Sequence, residues 1–292
     1  METKLIDLNS RPFFVRSWGQ PQNPPLLMLH GFPEFGGAWG DLAPHLTDRF
    51  YCIAPDQRGY GQSWAPLGVK NYALSQLVAD MAAMIEQDYS RVTVLGHDWG
   101  ASVAYGLATF RPDLVDRLII ANGVHPVPFQ RAMAAGGAQS KASQYINKLR
   151  APDAANWLSA NNYAQLEQFF RHGMGLDWLS DAKMDAYRAE WARPGRLEAM
   201  LNWYRASPLV VAAPDQPCTD VPDLPVERLR VPCPHLLLWG PEDKALLPVS
   251  TEGLEEFAPN LTRISIHGTD HWLHHQKPDA MAQEILDWIP TD

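Results

Sequence analysis

The sequence has few cysteines, no cluster of basic residues and no long apolar stretch, and each absence argues against a class of protein. Its three cysteines, Cys52, Cys218 and Cys233, show no Cys-x-x-Cys spacing, which argues against a disulfide framework and a thiolate metal site. The 24 Lys and Arg residues are outnumbered by 33 Asp and Glu residues, for a net charge of −9. A nucleic-acid partner is therefore not expected.

The sequence also shows no membrane-spanning or secretory segment. No uninterrupted apolar run approaches the roughly 20 residues that a membrane span requires. The amino terminus, METKLIDLNS, is polar and lacks the apolar core of a secretory signal. With 46% hydrophobic and 20% charged residues, the 292-residue chain can form a sizeable core. These features predict a soluble, reduced, cytoplasmic globular protein with no membrane partner.

What the sequence does contain is an alternation of short apolar strands with amphipathic helices. Predicted strands cover residues 4–8, 12–18, 25–30, 51–54, 91–95, 115–121, 235–239 and 261–266. Predicted helices cover residues 74–85, 101–110, 251–257 and 279–288. Short apolar strands separated by helices favour an α/β fold, with a parallel sheet covered by helices on both faces.

This alternation is interrupted after Gly123 by a long segment with little strand signal, rich in Trp, Tyr, Leu and Ala. Residues 134–143 are rich in Ala, Gly and Ser and are predicted to form a flexible loop. Six prolines between Pro214 and Pro234 indicate a return linker to the sheet. We therefore expect two domains, a core of residues 1–125 and 215–292 and a helical cap of residues 126–214.

The most specific motif is Gly96-His97-Asp98-Trp99-Gly100, which follows a predicted strand and opens a predicted helix. This is the spacing of a nucleophile elbow, in which small residues flank the nucleophile because the turn is tight. The nucleophile position holds Asp98, whose carboxylate attacks carbon without prior deprotonation and forms an ester. The alternative, that Asp98 only caps the helix, is disfavoured by the two glycines and the preceding strand.

A second motif, His30-Gly31-Phe32-Pro33-Glu34, follows another predicted strand. The backbone N–H groups of Phe32 and Trp99 are predicted to face one another and form an oxyanion hole. Taken alone, the segment is equally well explained by a plain β-turn.

Two further residues complete a predicted triad. Asp243 follows the strand at 235–239, where an acid that orients a histidine is expected, and Glu242 is its rival. His271 follows the strand at 261–266 and is predicted to activate water while Asp243 holds its other ring nitrogen. The chain order nucleophile, acid, histidine is that of the α/β-hydrolase fold.

The residues around His271 are rich in histidine. His271 and His275 are four residues apart, a spacing found in helical metal sites, but no helical pattern covers them and Pro278 follows. His274 and His275 are instead predicted to lie at the rim of the site or at the surface. No metal and no other cofactor is expected.

Together these motifs resemble the epoxide hydrolase branch of the α/β-hydrolase superfamily over nearly the whole chain. The segments that carry the resemblance are HGFPE at 30–34, APDQRGYG at 54–61, GHDWGA at 96–101 and HW at 271–272. The resemblance implies a mostly parallel eight-stranded sheet with helices on both faces and an inserted helical cap. It also implies the conversion of an epoxide and water to a vicinal diol.

The resemblance further implies two cap tyrosines that hydrogen-bond the epoxide oxygen. Tyr204 lies in an LNWYR segment similar to the family's N-W-Y-R, and Tyr145 precedes Pro152 by the family's seven residues. A phenol with a pKa near 10 suits this role because it is neutral at pH 7 and able to donate. Tyr163 and Tyr187 are alternatives in the cap, and core packing is the alternative explanation for each tyrosine.

The side chains of Phe32, Trp99 and Trp272 are predicted to line an apolar pocket. Its expected ligands are a small apolar epoxide and water, in a monomer or homodimer. A dehalogenase acting on a haloalkane or haloacid is the alternative, since it uses the same Asp–His–Asp chemistry with Trp99 at the halide. Haloalkane dehalogenases generally have Asn in place of Phe32, however. A serine esterase is disfavoured because the nucleophile is Asp98, and a non-catalytic receptor because the triad is complete.

Overall fold

A single sheet of eight strands organises the computed structural model, which describes residues 1–171 and 175–290. The strands are β1 (Glu2–Asp7), β2 (Pro12–Trp18), β3 (Pro25–Leu29), β4 (Tyr51–Pro55), β5 (Val92–His97), β6 (Val115–Ala121), β7 (His235–Trp239) and β8 (Leu261–Ser265). Their order across the sheet is β1-β2-β4-β3-β5-β6-β7-β8. The β1–β2 and β2–β4 pairs are antiparallel, and all other neighbouring strands are parallel. The predicted α/β fold is therefore confirmed.

Helices cover both faces of this sheet. On one face lie α1 (Leu74–Asp88) and α2 (Trp99–Phe110). On the other face lie α9 (Leu273–Gln276) and α10 (Pro278–Trp288), near the carboxyl terminus. Along β3 the side chains alternate between two apolar clusters. Leu27 and Leu29 pack in the cluster that contains α1 and α2, whereas Leu26 and Met28 pack in the cluster that contains α10. Burial on both faces explains why the central strands are almost entirely apolar.

The segment between β6 and β7 is helical, and residues 126–214 are called the helical insert below. Its helices are α3 (Pro126–Ala134), α4 (Ala138–Ala142), α5 (Gln144–Arg150), α6 (Ala154–Arg171), α7 (Asp181–Trp191) and α8 (Arg196–Ala206). The predicted flexible loop at 134–143 is wrong, because α4 occupies its middle. Buried Gln139 stabilises α4 by donating to the carbonyl of Ala245 at 2.9 Å. The domain boundaries around the helical insert stay a prediction.

The element α6 consists of two helical stretches separated by a break at residues 160–163. Asn161, Asn162 and Tyr163 have φ angles of 51°, 55° and 65°, in the left-handed region where the helix cannot continue. Within residues 1–171 and 175–290, no helix combines the length and apolar character that crossing a membrane requires.

Candidate active site

Asp98 lies in the sharp turn between β5 and α2, at φ 49° and ψ −120°. A positive φ is uncommon for a residue other than glycine, and it persists only where the surroundings enforce it. The neighbouring glycines, Gly100 and Gly31, allow the backbone to approach Leu29 and Asp98 closely. A Cβ on Gly100 would lie 2.0 Å from the carbonyl oxygen of Leu29, and a Cβ on Gly31 would lie 2.3 Å from the Cβ of Asp98. The elbow glycine thus lets α2 begin directly against β3.

The two carboxylate oxygens of Asp98 have different neighbours. Oδ1 accepts a hydrogen bond from the backbone N–H of Phe32 at 2.7 Å, and Oδ2 lies 3.6 Å from Nε2 of His271. Among the described residues, the Asp98 side chain makes no capping hydrogen bond to α2, which argues against the helix-cap alternative. Trp99 is the first residue of α2, so its N–H is one of the helix's four amino-terminal donors without an intrahelical partner.

His271 and Asp243 form a buried pair. Nδ1 of His271 lies 2.7 Å from Oδ2 of Asp243, and Oδ1 of Asp243 accepts from the N–H groups of Ala245 and Leu246 at 2.8 and 2.9 Å. Burial alone would raise the pKa of Asp243, but the charge of His271 and these hydrogen bonds hold it below its ordinary value. The rival acid, Glu242, is exposed.

Burial also opposes the charged form of His271. The negative charge and hydrogen bond of Asp243, together with those of Asp98, nevertheless hold the pKa of His271 well above its ordinary value of 6.5. The imidazole is therefore favoured as a cation while both carboxylates are ionised.

Asn122 is a member of the site that the sequence analysis did not assign. It follows β6, is fully buried, and donates from Nδ2 to Oδ2 of Asp243 at 2.7 Å. Its Oδ1 accepts the N–H of Gly240 at 2.6 Å. The signal that was available is its place at the carboxyl end of the strand beside β7, where a polar side chain must face the site edge.

The prediction that His274 and His275 lie at the rim or surface is wrong. Both are buried, because the short helix α9 directs them toward the buried carboxylate of Glu34. Nε2 of His275 lies 2.8 Å from Oε1 of Glu34, and Nε2 of His274 lies 3.3 Å from Oε2. His275 also contacts Asp41 through Nδ1 at 2.8 Å. His271 and His275 therefore contact different carboxylates.

The Glu34 carboxylate also lies beside the elbow. His97 lies 3.4 Å from Oε2 of Glu34 through Nδ1, and its Nε2 lies 2.8 Å from the carbonyl of His271. Burial would raise the pKa of Glu34, but the surrounding histidines, above all His274, hold it well below its ordinary value. This buried network supports the backbone on both sides of the candidate triad.

Two cavities meet at Asp98, with volumes of about 250 and 280 Å³. Asp98, Tyr145 and Tyr204 line both of them. The first, here named the apolar arm, is lined largely by apolar side chains, including Trp99, Val124, Phe129, Met133, Ile146 and Leu209. The second, here named the polar arm, is lined by residues that include Phe32, Lys148, Gln165, Gln168, Lys244, His271 and Trp272. The fold thus brings every predicted site side chain to the walls of these two cavities. The predicted oxyanion-hole donors are backbone N–H groups and not side chains.

The two predicted tyrosines are neighbours across the helical insert. Their ring centroids lie 6.4 Å apart, and the ring of Tyr204 packs edge-on against Phe32 and Trp99. Burial, reinforced by the negative charge of Asp98, raises the pKa of both phenols. The alternative Tyr187 lies elsewhere and donates to Oε1 of Glu34 at 2.7 Å.

Comparisons with known proteins agree with this geometry. The model of the α/β hydrolase family matches residues 26–284. The chain is 31% identical to the AB hydrolase superfamily protein YfhM of Bacillus subtilis, covering 99% of this chain and 98% of that protein. It is 32% identical to epoxide hydrolase 2 of Caenorhabditis elegans, covering 99% and 80%. A solved structure described as a novel epoxide hydrolase from metagenomes of hot environments superposes with a TM-score of 0.89 at 32% identity, covering 100% and 99%.

Proposed function

This chain belongs to the epoxide hydrolases of the α/β hydrolase family, and we propose that it converts an epoxide and water to a vicinal diol through a covalent ester on Asp98. One observation supports the proposal above all others. The Asp98 carboxylate lies 3.6 Å from His271, which is paired with Asp243, and it lines both cavities together with the phenols of Tyr145 and Tyr204. A nucleophile, a base and acidic donors for a leaving oxygen are thereby collected around one point.

The first proposed step is ring opening. The Phe32 N–H holds Oδ1 of Asp98, so Oδ2 is the oxygen free to attack a carbon of the epoxide. The carbon–oxygen bond of the ring breaks as the new ester bond forms, and its electron pair passes to the epoxide oxygen. Tyr145 and Tyr204 hydrogen-bond that oxygen, and one phenol gives it a proton. Both phenols retain their protons at neutral pH because their pKa values are raised.

The second proposed step is hydrolysis of the ester. Esterification removes the negative charge of Asp98, one of the two charges that hold the pKa of His271 high, and so favours the neutral form of His271, which can accept a proton. His271 deprotonates a water, which attacks Cγ of Asp98. The N–H groups of Phe32 and Trp99 stabilise the oxyanion on Oδ1, and each such donor contributes on the order of 3 kcal/mol.

Collapse of this intermediate breaks the bond between Cγ and Oδ2, and the diol leaves with Oδ2. The departing Oδ2 takes the proton held by His271 and becomes the second hydroxyl of the diol. The water oxygen remains in the carboxylate, and the second proton of the water, released as the carboxyl group ionises, replaces the one that the phenol gave. The steps require no cofactor. Every residue assigned to them comes from the same chain, and the helical insert, as the proposed cap domain, supplies both tyrosines.

The apolar arm and the rings of Phe32, Trp99 and Trp272 favour a small apolar epoxide as the substrate. The two phenols favour an epoxide over a haloalkane, because a leaving oxygen needs a proton whereas a halide leaves as the anion. Parallel assays with an aryl epoxide, a haloalkane and a p-nitrophenyl ester separate these chemistries. Diol release from the epoxide alone is expected, and halide release from the haloalkane would overturn the proposal.

Trapping the ester tests the proposal most directly. In the His271→Gln variant, ring opening proceeds but water is not activated, so the ester accumulates. Intact-protein mass spectrometry after mixing with styrene oxide is expected to show the added mass of one substrate, and peptide mapping to place it on Asp98. The Asp98→Asn variant is the matched control and is expected to gain no mass. An adduct on any other residue would refute the assignment of the nucleophile.

A further inference from the structure

Two arginines of the helical insert cross between the helices that carry the candidate tyrosines. Arg150 ends α5, the helix of Tyr145, and donates from Nε to the carbonyl of Tyr204 at 2.9 Å and from Nη2 to the carbonyl of Ser207 at 3.3 Å. Arg205 lies at the end of α8, the helix of Tyr204, and donates from Nη2 to the carbonyl of Ala151 at 3.0 Å. Each helix thus carries, at its last or next-to-last residue, an arginine that binds the chain at the carboxyl end of the other helix.

These contacts fall where a helix most needs them. The last four carbonyls of a helix lack intrahelical partners and carry partial negative charge, which a cation near the carboxyl end satisfies. Tyr204 lies in the last turn of α8, which ends at Ala206. The N–H of Ser207 reaches the carbonyl of Tyr204 at 3.3 Å, and Arg150 adds a shorter, charged hydrogen bond to the same carbonyl. Without that bond, this last turn is more prone to fray.

Arg150 differs from the most buried arginines, Arg16 and Arg58, in having no carboxylate partner in the part of the chain that the structure describes. The buried guanidinium groups of Arg16 and Arg58 pair with the carboxylates of Asp56 and Asp80. Arg150, which is half-buried in the wall of the apolar arm, binds main-chain carbonyls, and no carboxylate pairs with it in residues 1–171 and 175–290. Its side-chain contacts are therefore directed at the backbone that carries Tyr204.

We propose that Arg150 is a positioning residue for ring opening, acting through Tyr204. One side chain ties the end of the Tyr145 helix to the main chain at Tyr204, and so sets the distance between the two phenols that share the epoxide oxygen. The inference rests on the proposed function, because the geometry of the phenol pair matters only in the step in which the ring opens. Hydrolysis of the ester uses residues of the sheet and its loops, and is not expected to depend on Arg150.

The test measures ester formation alone, in the His271→Gln background, by rapid quenching and mass spectrometry with styrene oxide. Adding Arg150→Ala is expected to slow ester formation by roughly 10- to 100-fold, the range that small displacements of a catalytic group produce. Adding it to a protein that already carries Tyr204→Phe is expected to slow the step by less than about 3-fold, since the residue through which it acts is already disabled. Equal slowing with and without the Tyr204 hydroxyl would overturn the inference.

Two further variants separate positioning from general loosening of the insert. Arg188→Ala is the matched control, because Arg188 of α7 also joins helices of the insert, through Glu167 of α6 at 2.8 Å, but is not among the lining residues of either arm. It is expected to leave the rate of ester formation unchanged. Arg150→Lys keeps the charge but not the paired donors, and is expected to give a rate between that of the protein with Arg150 intact and that of the Arg150→Ala protein.

The readout distinguishes failure of this inference from failure of the proposed function. If His271→Gln alone forms no ester, the covalent mechanism itself is wrong. If it forms the ester and Arg150→Ala forms it equally fast, only the positioning role is wrong. With His271 intact, the Arg150→Ala protein is expected to hydrolyse the ester at the unaltered rate, and slowing of that second step would also count against the inference. Should Arg150→Ala fail to fold, the Arg150→Lys rate with and without Tyr204→Phe supplies the same comparison.

Discussion

The charge of Asp98 affects each ionisable group to which the proposed reaction assigns a proton. After burial itself, it contributes to the raised pKa of Tyr145 and of Tyr204. Together with Asp243 it also holds the pKa of His271 high. Because ester formation removes this charge, the step that uses the nucleophile also converts His271 from a favoured cation toward a neutral base. The order of the two steps is thereby enforced by electrostatics.

The pH dependence of ring opening follows from the phenols. A raised pKa means that a phenol keeps its proton to higher pH, so the donors persist above the ordinary pKa of 10. In the His271→Gln variant, the rate of ester formation is expected to stay constant from pH 7 to pH 10. Stopped-flow mixing or rapid quenching at each pH measures it. A decline with a midpoint below pH 10 would show that the donors are not these buried tyrosines.

Single residues differed in how far the sequence predicted them. Asp98 carries a local signal, two glycines and a strand before a helix, and Asp243 and His271 each follow a strand, so spacing alone placed them at one edge of the sheet. Asn122 also follows a strand, but its neutral amide did not single it out as a catalytic group, and Arg150 carries no such signal. Their partners, Asp243 and Tyr204, are 121 and 54 residues away in the chain, so only the folded backbone brings them into contact.

The turn from β5 into α2 leaves no space for a side chain at Gly100. A methyl group on Gly100 would collide with the carbonyl of Leu29, at 2.0 Å, and a main-chain carbonyl cannot move without disrupting β3. Gly100→Ala is therefore expected to destabilise the protein by about 3 kcal/mol or more, beyond ordinary overpacking of a core. Urea unfolding followed by circular dichroism measures this loss.

Gly40 provides the control for that substitution, since a Cβ there meets no heavy atom within 4 Å in the described residues. Gly40→Ala is expected to change the free energy of unfolding by less than about 0.5 kcal/mol. Equal effects of the two substitutions would show that the close approach of α2 to β3 is not the constraint.

Strands were predicted better than short helices. The inner strands β3, β4 and β7 are apolar runs bounded by turns, a pattern that burial on both faces produces directly. By contrast, α4 and α9 depend on contacts with distant residues, as the bonds of Gln139 to Ala245 and of His275 to Glu34 show. The predicted helix at 251–257 is wrong: two short 3-10 helices, Pro248–Thr251 and Leu254–Glu256, separated by Gly253 with φ 77°, replace it.

Across the whole molecule, the buried carboxylate of Glu34 joins the sheet to the helical insert. Tyr187 of α7 donates to it at 2.7 Å, and Trp191 of the same helix donates from Nε1 to the carbonyl of Pro33 at 2.7 Å. The loop that positions the Phe32 N–H is therefore held from the insert as well as from the sheet. Correct placement of α7 thus contributes to the geometry around Asp98.

Removing the hydroxyl of Tyr187 tests this connection. Tyr187→Phe leaves a buried carboxylate short of one donor, and is expected to lower the free energy of unfolding by about 1–3 kcal/mol. Because the pKa of Glu34 lies well below its ordinary value of 4.5, the carboxylate is still charged at pH 5, and the loss is expected to be the same at pH 5 and pH 7. Urea titrations at the two pH values measure it.

Tyr163→Phe is the control for this substitution. Tyr163 packs against the ring of Trp191, with ring centroids 5.9 Å apart, and losing its hydroxyl is expected to change stability by less than about 0.5 kcal/mol. A Tyr187→Phe protein as stable as this control would show that Glu34 does not depend on the insert.

The junction of an apolar and a polar arm at Asp98 has a consequence for chirality. A racemic substrate contains two mirror-image molecules, and we expect the bulky substituent of each to enter the apolar arm in one preferred orientation of the ring. In that orientation, the left- and right-handed forms turn different carbons toward the attacking oxygen. We therefore expect this protein to discriminate between enantiomers. The discrimination is expected to come from the part of the apolar arm that the helical insert forms, and not from the triad.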